Sequence, residues 1–404
     1  MKKETKSTVF IVSILDFPDG LGATQFYKMF GKIFDHIGYK VKYLISYPPG
    51  LSKNTYKKRG FCDGIEYIYG INKPSQYHII RVIYRIYSQI FFMKMIVLHR
   101  KELSHVVLYG TTFGDDLIFY LFKKIFHFKI ISVIADDLEL LKDLYEMRSL
   151  TSKLITCLKK SLIILQKKMI KNHKTKVIFV TTYLKKKYFN SMDGIKSIIV
   201  PTLFDKNNYK YKVINNMRYD ILYAGTLKQH EGLEFLLDSF KIVRYQKPKI
   251  NLHIFGVTEK SKKYVNILKK RISSLGLNKN VFFYKMINKN ELINILQSSK
   301  VLVLPREDNI TNRAGFSGKI VDYLMSGRPL VATDVGDISI YLKDNYEVLL
   351  TEPGDNESFA KKIIYVLDNE DSANKIGERG KEIAINTFEY KKTALRIKNW
   401  LEIN

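Results

Sequence analysis

The residues best suited to chemistry lie in 316–333, Phe-Ser-Gly-Lys-Ile-Val-Asp-Tyr-Leu-Met-Ser-Gly-Arg-Pro-Leu-Val-Ala-Thr. They follow a buried-strand pattern at 301–304 and an irregular, Gly-containing loop at 305–315. A helix opening near Ser317 would aim free backbone N–H groups outward, a ready seat for phosphate. Gly318 and Lys319 fall in its first turn, and Lys319 adds a point charge. Asp322 comes three residues later, on nearly the same helical face. A carboxylate there can accept two hydrogen bonds from vicinal hydroxyls such as those of ribose. The alternative for Lys319 and Asp322 is a solvated surface pair. In either case Gly327, followed by Pro329, reads as the helix C-cap.

Three other groups invite chemistry. His230 lies in the 225–232 loop, within reach of a phosphate. Asp136-Asp137 follows an apolar run at 130–134, so at least one carboxylate should face a ligand at that strand end; the alternative is a solvated helix start with Glu139 behind it. Gly20-Leu21-Gly22-Ala23 follows the first apolar run and would let a helix N-terminus approach an anion closely. His78, His99, His105 and His127 sit among apolar neighbours and are expected to be packed. No Cys/His cluster or nucleophile elbow occurs, and neither Asp115-Asp116 nor Asp136-Asp137 reads as a metal motif, so no metal site is expected.

These residues must be positioned by an alternation of strand and helix. Buried-strand patterns recur at 9–15, 41–45, 106–109, 130–134, 177–180 and 198–200, with helical stretches between them, the first over 24–36. A polar, Asn- and Lys-rich segment at 204–218 reads as a linker. The alternation then restarts at 221–224, 252–255, 281–283, 301–304, 330–332 and 348–350. Leu233, Leu236, Leu237, Phe240 and Val243 form a 3.6-residue stripe. The pattern predicts an α/β chain of two Rossmann-like, doubly wound parallel-sheet domains, 1–205 and 206–387, with a helix at 388–402 returning to the first. Ligands of such sheets bind beyond the strands' carboxyl ends, and a cleft between two domains becomes the expected site.

Composition narrows the class. The 404 residues are 46% apolar, enough for real cores. Two cysteines, Cys62 and Cys157, exclude a disulfide framework. The apolar run 9–15 meets Asp16 and lacks a cleavage site, and Lys94 interrupts the best spanning candidate, so neither a secreted nor an integral membrane protein is expected. The net charge of +28 is uneven: residues 1–200 carry 34 basic and 15 acidic side chains, residues 201–404 carry 33 and 24. A Lys-rich codon bias explains many lysines but not the uneven charge balance, which comes from the scarcity of acids in the first half. In 76–100, Ile79, Val82, Ile83, Ile86, Ile90 and Met93 form a stripe flanked by Arg81, Arg85 and Lys94. With the lysines of 151–187, among them Lys159, Lys160, Lys167, Lys168 and Lys171, this helix either lies on an anionic membrane or packs into a core. Nucleic acid is not an expected partner, because no helix-turn-helix, aromatic RNA platform or zinc finger accompanies the charge.

The chain resembles the retaining glycosyltransferases of family 4, the group 1 glycosyl transferases, which have the GT-B fold. Lys319 to Thr333 resembles that family's K-x-x-E-Y-x-x-x-G-x-P-V-V-A-T. Tyr223-Ala-Gly-Thr-Leu227 with Glu231-Gly-Leu resembles its Y-x-G-R-L…K-G opening of the second domain. Leu252-His-Ile-Phe-Gly256, Asn280-Val-Phe-Phe and Val301-Leu-Val-Leu-Pro305 resemble its L-x-I-x-G, N-V-x-F and V-x-V-x-P strands. The stretch from Asn345 to Pro353, with Asp355, resembles the family's segment after the donor site. Gly20 to Ala23 resembles its glycine loop, and Phe179-Val-Thr-Thr182 and Ile199-Val-Pro201 resemble its V-x-x-S and V-I-P-N strands. The likeness is good over 219–400 and thinner over 60–175.

The resemblance implies transfer of a hexose from a UDP- or GDP-sugar, with retention at the anomeric carbon, no metal and no other cofactor. Its acceptor would be a glycan, lipid-linked, in bacterial capsule or lipopolysaccharide synthesis, and the enzyme would sit on the cytoplasmic face of the plasma membrane. By the same resemblance Gly22, Gly225, Thr226, Lys228, His230, Arg306, Gly318, Lys319 and Asp322 would hold the donor, Gly20, Gly22 and Ala23 the acceptor, and Asp136 or Asp137 would orient the acceptor hydroxyl. The pattern departs in three places. The family's first acid falls at Ala314; Thr226 stands where its diphosphate-clamping Arg is usual, and Glu231 where its Lys is. Lys228, Lys319, Arg306 and Arg313 are nearby substitutes, which matters because stabilising the departing diphosphate is most of this chemistry. A catalytically degenerate scaffold and a nucleotide-sugar epimerase are the alternatives.

Overall fold

The computed structural model describes residues 7–20, 22–47, 57–75, 77–137, 150–172, 175–189, 196–209 and 217–403. Leu21, Glu139 and linker residues 210–216 lie outside these, as do the side chains of His78, Ile79, Lys159 and Lys160. The chain forms two compact units, Met1–Pro201 with Tyr390–Asn404, and Thr202–Glu389.

In the first unit the elements run β1 (Thr8–Ser13), α1 (Gly22–His36), β2 (Lys40–Ile45), β3 (Arg59–Cys62), β4 (Ile65–Tyr69), α2 (His78–His99), β5 (Leu103–Tyr109), α3 (Phe113–Phe126), β6 (Lys129–Ile134), α4 (Leu150–Asn172), β7 (Lys176–Phe179), α5 (Thr182–Phe189) and β8 (Ser197–Ile199). One sheet results, in the order β3-β4-β2-β1-β5-β6-β7-β8. Every pairing is parallel except β3 with β4. β1 is buried along its whole length, as a central strand with both faces covered must be. The β3–β4 hairpin is absent from the sequence expectation. Asp63 and Gly64 make its turn at φ 51° and 80°, the left-handed pair that suits a two-residue hairpin.

In the second unit the order is β9 (Tyr219–Ala224), α6 (Leu233–Gln246), β10 (Leu252–Val257), α7 (Lys262–Ser274), β11 (Val281–Lys285), α8 (Lys289–Gln297), β12 (Ser299–Leu304), α9 (Ile310–Ala314), α10 (Gly318–Met325), β13 (Leu330–Thr333), α11 (Ile338–Tyr341), β14 (Leu349–Thr351), α12 (Asn356–Asp368) and α13 (Glu370–Phe388). The sheet, β11-β10-β9-β12-β13-β14, is wholly parallel. The α6 stripe is fully buried against strand residues Ile221, Ile254 and Val303 and against Phe359 of α12. The loop expected to be irregular at 305–315 contains the short helix α9, because the Asn309 side chain caps it by accepting from the Asn312 N–H at 2.9 Å.

The last helix, α14 (Tyr390–Glu402), packs on α1 in the first unit. Lys176 fastens its end, donating from Nζ to the Trp400, Leu401 and Ile403 carbonyls at 2.8–3.0 Å. These are carbonyls that a helix terminus leaves without partners. Among the described residues no helix is long and apolar enough to cross a membrane.

Candidate functional site

In the second unit the carboxyl ends of β9 and β10 approach closely because glycines stand there, Gly225 just after β9 and Gly256 near the end of β10. The Gly225 N–H donates to the Phe255 carbonyl at 3.0 Å. Gly256 has φ +131°, and a Cβ there would lie 1.7 Å from the Gly225 oxygen. A Cβ on Gly225 itself would lie 2.1 Å from Lys319 Cε, so this glycine is the floor over which the Lys319 stem passes.

Lys319 ends 2.6 Å from Glu231 Oε1, with its ammonium 5.7 Å from the Tyr223 ring centre. Both side chains are largely buried, so the solvated-pair alternative for Lys319 is excluded. The other carboxylate oxygen, Glu231 Oε2, is buried without a hydrogen-bond partner. Burial works to raise the Glu231 carboxyl, yet Lys319, with Arg306 behind it, brings it below the ordinary carboxylate value. Burial draws Lys319 down, and Glu231 opposes this. Each side chain thus favours the charged form of the other.

Arg306 is buried beside this pair. Its Nη2 donates to Asn312 Oδ1 at 2.6 Å and its Nη1 to the Gly315 carbonyl at 3.3 Å. Asn312 Nδ2 in turn donates to the His230 and Glu307 carbonyls at 2.7 and 2.8 Å. Asn312 thus ties the 225–232 loop to α9 and fixes the guanidinium. His230 is half-buried, and burial lowers its pKa. Lys228 is exposed, and Thr226 Oγ1 reaches Glu231 Oε1 only at 3.5 Å. Arg313, a candidate substitute for the clamp, is committed to Asp308 (Nε–Oδ1 2.5 Å).

Helix α10 opens after Ser317, whose side chain makes no capping bond. A Cβ on Gly318 would meet nothing closer than 3.7 Å, so the first turn is open. Asp322 is half-buried and accepts at Oδ1 from the Tyr209 hydroxyl at 2.6 Å. Tyr323 anchors the helix: its hydroxyl accepts from the Ala224 N–H at 2.7 Å and donates to the Ala224 carbonyl at 2.9 Å. Ala314 is buried and supplies no acid.

In the first unit, a Cβ on Gly20 would lie 1.9 Å from Thr24 Oγ1, which donates to the Asp16 carbonyl. Gly22 has open space around it, and it and Ala23 are exposed at the start of α1. The two carboxylates after β6 differ. Asp137 is buried, paired to Lys187 at 2.5 Å and within 3.5 Å of the Tyr188 hydroxyl, whereas Asp136 is exposed. His105 and His99 are packed, but His127 is exposed where α3 ends with φ 57°, correcting the expectation for that residue. Among the described residues no group of three or more His, Cys, Asp or Glu could hold a metal ion.

The second unit therefore assembles Gly225, Thr226, Lys228, His230, Arg306, Lys319 and Asp322 around the ends of β9 and β12 and the start of α10. Asn312, Tyr323 and Tyr209, which hold these residues in place, are not singled out by the sequence. The Asn309-x-x-Asn312 cap spacing was a readable signal for the first, and nothing in the sequence pairs Tyr209 with Asp322.

Two units, each with a doubly wound sheet, and an anion-competent helix start at the carboxyl edge of the second define a GT-B fold. Residues 205–383, nearly all of the second unit, match the family Glycosyl transferases group 1. The chain is 22% identical over 233 residues to the uncharacterized glycosyltransferase MJ1178 of Methanocaldococcus jannaschii, covering 56% of this chain and 59% of that one. It is 24% identical over 200 residues, half of each chain, to the capsular polysaccharide biosynthesis glycosyltransferase CapM of Staphylococcus aureus. The matches thus span about half the length of these relatives. Among solved structures, Anabaena Alr3699/HepE in complex with UDP-glucose superposes with a TM-score of 0.68 at 14% identity, over 98% of this chain and 99% of that one.

Proposed function

We propose that the chain is a retaining, metal-independent hexosyltransferase that moves a sugar from a UDP- or GDP-sugar to a lipid-linked glycan acceptor. Its place is bacterial surface polysaccharide synthesis, on the cytoplasmic face of the plasma membrane, with the first unit toward anionic lipid. The observation that carries the reading is the cationic pair Lys319 and Arg306, held by Glu231 and Asn312 beside the open start of α10. Cations fixed before the reaction stabilise charge that develops on a departing diphosphate without reorganising. Asp322, one turn along, would accept from the ribose hydroxyls. In the first unit, Gly20, Gly22 and Ala23 form the acceptor end, and the exposed Asp136 suits a group that orients an acceptor hydroxyl better than the ion-paired Asp137. The likeness to one capsular polysaccharide biosynthesis glycosyltransferase and the UDP-glucose complex of a fold relative support this reading.

The test is a thermal-shift panel of nucleoside diphosphates and their sugars, followed by transfer assays with and without EDTA. One nucleotide should stabilise the protein, Asp322→Ala should abolish the shift, and EDTA should leave transfer unchanged. Binding without turnover would favour the degenerate scaffold, the alternative that Ala314, Thr226 and Glu231 raise. Turnover of donor without acceptor would favour the epimerase. No shift with any nucleotide would overturn the reading.

A further inference from the structure

In the first unit, β4 to β5, β5 to β6 and β6 to β7 are parallel connections that step in one direction across the sheet. Right-handed crossovers then place α2, α3 and α4 on a single face, and α2 packs on α3 and α3 on α4. The outward side of this layer exposes aliphatic side chains. Val82, Ile86 and Ile90 on α2 form an i, i+4 stripe, and Ile86 and Ile90 are 54% and 52% exposed. Leu121 and Ile125 on α3 are 51% and 62% exposed, and Leu165 on α4 is exposed as well. Single exposed aliphatics are ordinary, but three adjacent helices presenting them together are not.

The charge on the same layer has one sign. The three helices carry eleven basic residues, and their only acids, Asp115 and Asp116, are buried. Lys94, Lys124 and Lys168 are exposed, one on each helix. Aliphatic side chains with cations at their flanks match the boundary between acyl chains and anionic headgroups. A nucleic acid would supply the phosphates but leave the isoleucines in water.

We infer that the outward face of the α2–α3–α4 layer is the surface that seats this protein on an anionic lipid bilayer. The inference deepens the membrane part of the function proposed above by assigning it to these residues. It differs from the expectation read from the sequence, which involved one helix and the lysines. Here the aliphatic stripes of three helices act as one plane.

The experiment is flotation of the full chain with vesicles of neutral phosphatidylcholine, or the same lipid with about a third phosphatidylglycerol. The expected result is binding to the anionic vesicles only, weakening steeply between low and high salt. Ile86→Ser/Ile90→Ser/Leu121→Ser should lower partitioning about tenfold or more, since each loses buried aliphatic area. Lys94→Glu/Lys124→Glu/Lys168→Glu should remove most of the salt-sensitive binding. Both variants should keep the nucleotide-induced thermal shift of the wild type, which reports the fold and the second unit independently. Wild-type binding that neither variant weakens would move the attachment elsewhere and overturn this face. Failure of the wild type to bind at low salt, or association of the chain with another protein through these residues instead, would overturn it too, while the nucleotide shift would still stand or fall alone.

Discussion

Lys319 and Glu231 form a largely buried ion pair with Nζ–Oε1 at 2.6 Å, and the carboxylate occupies the position where the resembled family places a cation. The pair explains how a site without the usual clamp can still present a charged lysine. Burial alone would push the Lys319 ammonium toward its neutral form, and Glu231 is the chief opposing influence. Arg306 and Lys228, both cations, act with burial to draw the Lys319 pKa down.

Glu231→Gln should therefore make nucleoside diphosphate binding pH-sensitive. Removing the carboxylate lets the Lys319 pKa fall, so its proton is lost as pH rises. Titration calorimetry over a rising pH series should find the variant's affinity falling at lower pH than that of the wild type. Tighter binding by the variant at every pH would show that Glu231 repels the ligand instead.

Asp322→Ala should weaken nucleotide binding by roughly 1.5–3 kcal/mol, the range for hydrogen bonds to a charged group. Tyr209→Phe should weaken it less, because it removes only the group that steadies Oδ1. Equal losses in a competition assay would mean that Tyr209 itself contacts ligand.

Tyr323→Phe should destabilise the protein by about 1–3 kcal/mol in denaturant titrations, the cost of leaving the buried Ala224 N–H and carbonyl without their partner. A neutral result would mean that water replaces the hydroxyl.

The sequence carried the strands and the ligand loop more clearly than it carried the partners. Continuous apolar runs such as 301–304 announce strands covered on both faces, and the 316–333 segment announces its own helix and C-cap. The edge hairpin is harder: β3 is only four residues long, β4 beside it alternates buried and half-buried residues over only five positions, and the Asp63-Gly64 turn was the sole strong cue. Long-range pairs were hidden for a different reason. Glu231 and Lys319 are 88 residues apart, and only the packing of α10 over Gly225 brings them together. Likewise Asp136 and Asp137 are equivalent as sequence, and Lys187, which separates their roles, arrives from α5.

Asp116 gives a pH prediction for stability. Burial pushes its carboxyl up to about 7, although Thr111 and Gln166 both donate to it. The folded state thus favours the protonated form, while the unfolded chain ionises near 4. Stability should fall as pH rises from about 4 to about 7 through this group, and Asp116→Asn should flatten that decline. Melting curves at pH 5 and 8 decide it: the variant should gain most at pH 8, and an equal gain at both would refute the assignment.

The proposed transfer requires a diphosphate to rest against Lys319 at the opening of α10. Calorimetric titration of a nucleoside diphosphate beside its bare nucleoside, in wild type and Lys319→Ala, tests it most directly. The wild type should bind the diphosphate far more tightly than the nucleoside, and the substitution should erase most of that difference. A preference for the diphosphate that survives without the Lys319 ammonium would contradict the account.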